Sequence, residues 1–196
     1  MRRKILQAAE KAIGKEGNDF TMDRLATEVG ISKRTLYEQF RDKEEIVELI
    51  LLSQLGDVIQ QAWDVTRDGT LSVHDCIYKC VTLQSRSYPL ITLPVKGELL
   101  QKYPHVACRI KEAAQEYWQI LHAYLQARQA EQKIKSVSVD AVITLMQVIS
   151  YNYMYRRLVR RERLVRREPL TEEDLLALLD VMFVGVLPDE QEEELR

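Results

Sequence analysis

The chain is most constrained between Phe20 and Ile46, where FTMDRLATEVGISKRTLYEQFRDKEEI has room for two short helices, a tight turn and the start of a third helix. Thr21 is placed to cap the first helix by accepting a backbone N–H, and Asp23 falls in its first turn, where the helix dipole favours an anion. Leu25, Ala26 and Val29 recur at three- and four-residue steps and give that helix one apolar side. Gly30 supplies a turn without a steric penalty for positive φ, Ile31 plugs the core, and Ser32 can cap the next helix. Helical spacing then sends Leu36 and Phe40 inward, turns Arg34, Tyr37 and Arg41 outward, and leaves Lys33 at the flank. The outer surface is basic and aromatic.

A short helix presented by a glycine turn, with cationic and hydrogen-bonding side chains on its free face, meets the needs of reading a DNA major groove. Arg and Lys reach guanine O6 and N7, Thr meets thymine methyls, and Tyr hydroxyls and helix N-termini hold phosphates. The bland reading of the same residues is a solvated surface helix. What tips the balance is Thr21, Leu25-Ala26, Val29-Gly30-Ile31-Ser32, Leu36-Tyr37, Phe40, Lys43 and Ile46 taken together. At this spacing and this place near the N-terminus, they resemble the DNA-binding domain of TetR-type bacterial transcriptional regulators. The resemblance implies that Ser32, Lys33, Arg34 and Thr35 approach bases, and that Thr21, Tyr37 and Lys43 approach phosphates. Many family members carry a small residue where this chain has Arg34. Met1 to Lys4, at the start of the first helix, leave at most a stub of the basic arm that some relatives use.

Nearly half of the residues are apolar, enough for a sizeable core, and no apolar run is long enough to cross a membrane. Met1-Arg2-Arg3-Lys4 leads into an amphipathic stretch interrupted by Gln7, Glu10 and Lys11, not into a signal-peptide core, so a cytoplasmic protein is expected. The net charge of −2 argues little against DNA, because acidic residues gather from Asp189 to Glu194, far from the basic face.

Periodicity and caps give an all-α chain. A first helix runs from about Arg2 to Glu16; a long one spans Lys43 to Trp63, started by an Asp42–Glu45 capping box. Further helices are expected from about Ser72 to Ser87, Val95 to Lys102, His105 to Gln129, Val139 to Arg161 or beyond, and Glu172 to Val186. Ser72, Ser138 and Thr171 serve as caps. The expected division is an N-terminal three-helix helix-turn-helix domain over residues 1–46 and a C-terminal helical ligand-binding and dimerisation domain over 47–196, linked by the helix at 43–63.

The last two helices carry double apolar stripes. Val142, Met146, Ile149 and Tyr153 are joined by Leu145, Val148 and Met154; Leu175, Leu179, Met182 and Val186 are joined by Leu178 and Val181. A helix apolar on two sides needs two partners, and a second copy of the chain is the simplest source of the second. A homodimer through these helices also suits a palindromic operator.

Tyrosines abound in the middle helices. Tyr78, Tyr103, Tyr117, Trp118, His122, Met146 and Tyr151 are candidates to line a pocket for a small apolar or aromatic ligand, although any single one is better explained as core or surface. Cys76 and Cys80 stand one helical turn apart, with His74 and His105 as possible neighbours; the spacing is not that of structural zinc, and buried cysteines behave mostly as small hydrophobes. No role is assigned to Cys108. Neither a metal nor a cofactor is expected, and no nucleophile with a base, phosphate loop or carboxylate pair suggests an enzyme. The repeat Arg157 to Glu162 and Arg163 to Glu168 reads best as a solvated basic extension balanced by the acidic tail. The leading reading is a ligand-responsive regulator, a repressor released from operator DNA by its effector. Its rival is a helical sensor acting through ligand, thiol redox or protein contacts without specific DNA binding.

Overall fold

The computed structural model describes residues 1–83, 90–91, 93–155 and 172–187, and no strand occurs among them. The helices are α1 (Arg2–Glu16), α2 (Met22–Val29), α3 (Lys33–Gln39), α4 (Lys43–Thr66), α5 (Val73–Val81), α6 (Leu93–Lys102), α7 (Pro104–Ala130), α8 (Val139–Tyr155) and α9 (Glu172–Val186), with a 3-10 turn at Gly17–Asp19. The Arg157 to Glu168 repeat, the Thr171 cap and the acidic run from Asp189 lie outside the described residues.

Helix starts follow their caps. Thr21 accepts the Arg24 N–H at 3.3 Å, Ser32 that of Thr35 at 3.0 Å, Asp42 that of Glu45 at 2.8 Å, Ser72 that of Asp75 at 3.0 Å, and Ser138 that of Ala141 at 3.2 Å. Each bond satisfies an N–H that the helix itself leaves unpaired. Helix α5 is shorter than its apolar pattern suggests. It closes at Val81, where the Thr82 hydroxyl donates back to the Tyr78 carbonyl at 2.9 Å and competes with continuation of the helix.

Two apolar clusters organise the molecule. The first joins Ile5, Ala9, Ile13, Phe20, Leu25, Leu36 and Phe40 to Ile46, Val47, Ile50 and Leu51 of α4, and it also takes in Ile91, Leu99, Leu100 and Val106. The second gathers Ala62 at the far end of α4 with side chains of α5, α7, α8 and α9. Full burial of an aliphatic side chain such as Ile50 or Leu121 is worth roughly 1.5–3 kcal/mol, so each cluster holds its helices firmly. Helix α4 enters both clusters, as does α7 through Val106 at one end and Leu121 and Leu125 at the other.

The first cluster is stitched to the middle of the chain by polar contacts. Glu10, buried on α1, accepts the Leu90 N–H at 3.0 Å, and buried Gln54 of α4 donates to the Ile91 carbonyl at 3.1 Å. Arg109 of α7 pairs with Glu48 of α4. At Gly14 the α1 backbone comes so near Leu90 that a Cβ would stand 3.1 Å from the Leu90 Cβ.

Helices α8 and α9 meet the second cluster on one side only. Val142, Met146, Ile149, Leu179, Met182 and Val186 are buried, whereas Leu145, Val148, Leu178, Val181 and Val184 are exposed. Leu145, Leu178 and Val181 of the second apolar stripe expected from the sequence therefore face outward.

Candidate nucleic-acid interface

Gly30 ends α2 in the left-handed region with φ of 75°, and its N–H closes on the Ala26 and Thr27 carbonyls. This is the conformation that glycine adopts at least cost. The turn delivers Ser32, whose hydroxyl both caps α3 and lies 2.8 Å from the Thr35 hydroxyl. Leu36 and Phe40 are fully buried beneath α3, and they fix the rotation of the helix. Tyr37 is consequently 45% exposed, and the Arg34 side chain is 89% exposed.

The cations on this face have local partners. Lys33 sits 2.7 Å from the Asp23 carboxylate of α2, and that hydrogen bond raises its pKa further. Arg34 reaches Glu38 one turn along at 3.1 Å. Exposed pairs of this kind contribute about 0–1 kcal/mol, so exchanging them for phosphate or guanine is cheap.

Lys43 differs. Its ammonium donates to the Phe20 carbonyl at 2.7 Å and also to the Asn18 carbonyl, and it stands 4.3 Å above the centre of the Phe20 ring. Burial lowers its pKa. The charge lies at the start of α4, turned in toward the 3-10 turn. Arg2 is likewise engaged, donating to the Gln39 carbonyl at the end of α3 and to Glu45 at 3.2 Å, with its guanidinium over the Phe40 ring. Thr21 remains exposed beside its capped N–H.

The candidate pocket residues are not all neighbours. Tyr117, Trp118 and Met146 belong to the second cluster, Tyr117 and Trp118 meeting edge to face at 5.0 Å. The buried Tyr117 hydroxyl donates to the Cys80 carbonyl at 3.0 Å. Tyr78 stacks on His74 at 5.9 Å. His122 faces Asp140 of α8 at 3.0 Å on the surface. Tyr103, by contrast, packs against the first cluster and bonds to Asn18. The side chain of Tyr151 lies outside what is described.

Sequence reading missed the docking of residues 90–106 onto the N-terminal core. The one signal that could have suggested it was Glu10, a carboxylate breaking an otherwise apolar face of α1.

Together, a helix pair joined by a glycine turn, an exposed cationic and aromatic face on the second helix, and a long helix leading into a second apolar unit define a helix-turn-helix regulator. Residues 5–50 match the model for bacterial regulatory proteins of the tetR family. Over 192 residues, 97% of this chain and 98% of the relative, the sequence is 27% identical to an uncharacterised HTH-type transcriptional regulator, YvaF, of Bacillus subtilis. The fold is similar to that of the TetR-family regulator PfmR from Thermus thermophilus, with a TM-score of 0.65 and 20% identity, covering 92% of this chain and 97% of that one. It is also similar to a transcriptional regulator from Saccharomonospora viridis solved with choline, with a TM-score of 0.66 and 16% identity, covering 96% and 98%. The match to the tetR family covers the helix-turn-helix unit, residues 5–50, and beyond it the chain shares the fold of TetR-family regulators.

Proposed function

We propose that this regulator is a homodimeric repressor that binds a palindromic operator in the bacterial cytoplasm and is released by a small apolar or aromatic effector. The observation that carries the reading is the free face of α3, where Tyr37 and Arg34 stand exposed over a helix pinned by Leu36 and Phe40. Ser32, Lys33, Arg34 and Thr35 approach base edges, and Thr21 and Tyr37 approach phosphates. Lys43 favours the phosphate backbone through its charge at the start of α4 while its ammonium stays on the Asn18 and Phe20 carbonyls.

The division of labour is residues 1–46 for DNA and 47–196 for effector and dimer. Exposed Leu145, Val148, Leu178, Val181 and Val184 support a second copy of the chain packed against α8 and α9. The effector occupies the aromatic side of the second cluster, near Tyr78, Tyr117, Trp118, His122, Met146 and Tyr151. Tyr103 senses it from the junction with the first cluster. For release, the effector must bind unequally to two arrangements of the reading heads. Helix α4, packed in both clusters, is the element whose tilt distinguishes them.

The experiment is replacement of Arg34 and Tyr37 together by Ala. Loss of a base or phosphate contact costs about 1–3 kcal/mol, so specific operator binding should fall steeply; unchanged binding would refute the assigned face.

A further inference from the structure

The second cluster holds a group of side chains that DNA binding does not use. Cys76 and Cys80, each 1% exposed and both free thiols, stand one turn apart on the same side of α5. The neighbouring Cys80 thiol holds the Cys76 thiol below its usual pKa. The Cys76 thiol donates to the Val65 carbonyl in the last turn of α4 at 3.8 Å, and burial together with Cys76 raises the pKa of Tyr124 on α7.

Arg128 completes the group. Its guanidinium lies over the Tyr124 ring, 5.2 Å from the centre, and its Nε is buried without a hydrogen-bond partner. A terminal nitrogen pairs with Glu131 at 2.8 Å, but Glu131 also takes Lys133 at 3.1 Å. Two cations therefore share one carboxylate, and the trio keeps a net positive charge. A buried donor without an acceptor costs about 1–3 kcal/mol. Its charge acts on the Cys76 thiol, which indicates the missing acceptor, an anionic sulfur.

We infer that Cys76 and Cys80 form a two-sulfur site for a monovalent soft cation of the Cu(I) or Ag(I) kind, with Arg128 as the counter-charge. Thiolate sulfur selects soft metals. Structural zinc calls for four ligands, and among the described residues no group of three His, Cys, Asp or Glu side chains could hold a metal ion. A monovalent soft cation is satisfied by two. Each thiol gives up its proton as its sulfur–metal bond forms, so one cation and two thiols yield a bis-thiolate of single negative charge and release two protons. That charge is the one the Arg128, Lys133 and Glu131 trio balances. A disulfide between the same sulfurs would be neutral and would leave Arg128 unanswered.

The test uses the full chain without DNA, so it stands apart from the operator reading. Cu(I) is offered anaerobically as the complex of a chromophoric chelator. The wild type should withdraw one Cu(I) per chain. Cys108→Ser should do the same, Cys76→Ser and Cys80→Ser should lose the uptake, and Arg128→Gln should weaken it roughly ten- to hundredfold. Full uptake by either Cys76→Ser or Cys80→Ser, or none by the wild type, would overturn the inference. Should the serine variants fail to fold, X-ray absorption on wild type loaded with one Cu(I) decides: two sulfur neighbours are expected, and a shell of nitrogen or oxygen would refute the site.

Discussion

The Tyr103 hydroxyl donates a 2.6 Å hydrogen bond to the Asn18 side chain and so ties the start of α7 to the turn between α1 and α2. The Asn18 carbonyl in turn takes the Lys43 ammonium from the start of α4. Burial raises the Tyr103 pKa, which keeps the phenol protonated as a donor. The start of α7, the start of α4 and the turn at Gly17–Asp19 are thereby joined at one residue.

Tyr103→Phe keeps the ring and deletes the bond. We expect a loss of about 1 kcal/mol in urea unfolding, with faster hydrogen exchange around residues 17–20. Unchanged stability together with weakened effector binding would mean that Tyr103 lines the pocket instead of joining the two units.

Asp42 gives the N-terminal unit an acid-sensitive cap. Burial opposes its ionisation, but the Arg41 guanidinium and the Glu45 backbone N–H outweigh that effect and leave its pKa below the usual value. With the folded pKa depressed, the contribution is present above the unfolded pKa and is lost as pH falls through the folded one. Asp42→Ala should cost about 0.5–2 kcal/mol at neutral pH. It should also flatten the fall in stability on the acid side, measured by urea titration at several pH values. A variant as acid-sensitive as the wild type would contradict this assignment.

The exposed stripe on α9 sets a test of assembly. Val181 and Val184 are 74% and 75% exposed, so a charge at either position costs the single chain little. In a dimer packed through this face, the charge would be buried without a partner. Val181→Glu combined with Val184→Glu should therefore give a folded monomer by sedimentation, with its melting temperature reported at a fixed chain concentration. A dimer that persists would place the interface elsewhere.

The parts of the fold that could be read from sequence are those governed by neighbours along the chain. Thr21, Ser32, Asp42, Ser72 and Ser138 bond within one turn of where they stand, so each cap could be named before its helix was seen. The outward rotation of Arg34 and Tyr37 followed from where Leu36 and Phe40 had to go. By contrast, Glu10 answers Leu90 and Tyr103 answers Asn18. Those partners lie far apart in sequence, and no periodicity reports them. The same limit separates Tyr103 from Tyr117: both are tyrosines of the middle helices, but they pack in different clusters. The engagement of Lys43 with carbonyls was hidden for a further reason, since an N-terminal lysine serves a phosphate or a backbone oxygen equally well.

The central claim is specific, dimeric recognition of DNA, and the most direct measurement is selection of random duplex DNA by the purified protein, followed by sequencing and a salt titration on the enriched site. A palindromic consensus is expected, with affinity falling steeply as salt rises because phosphate contacts release counterions. No enrichment from folded protein, or a site bound with salt-insensitive affinity, would contradict the account.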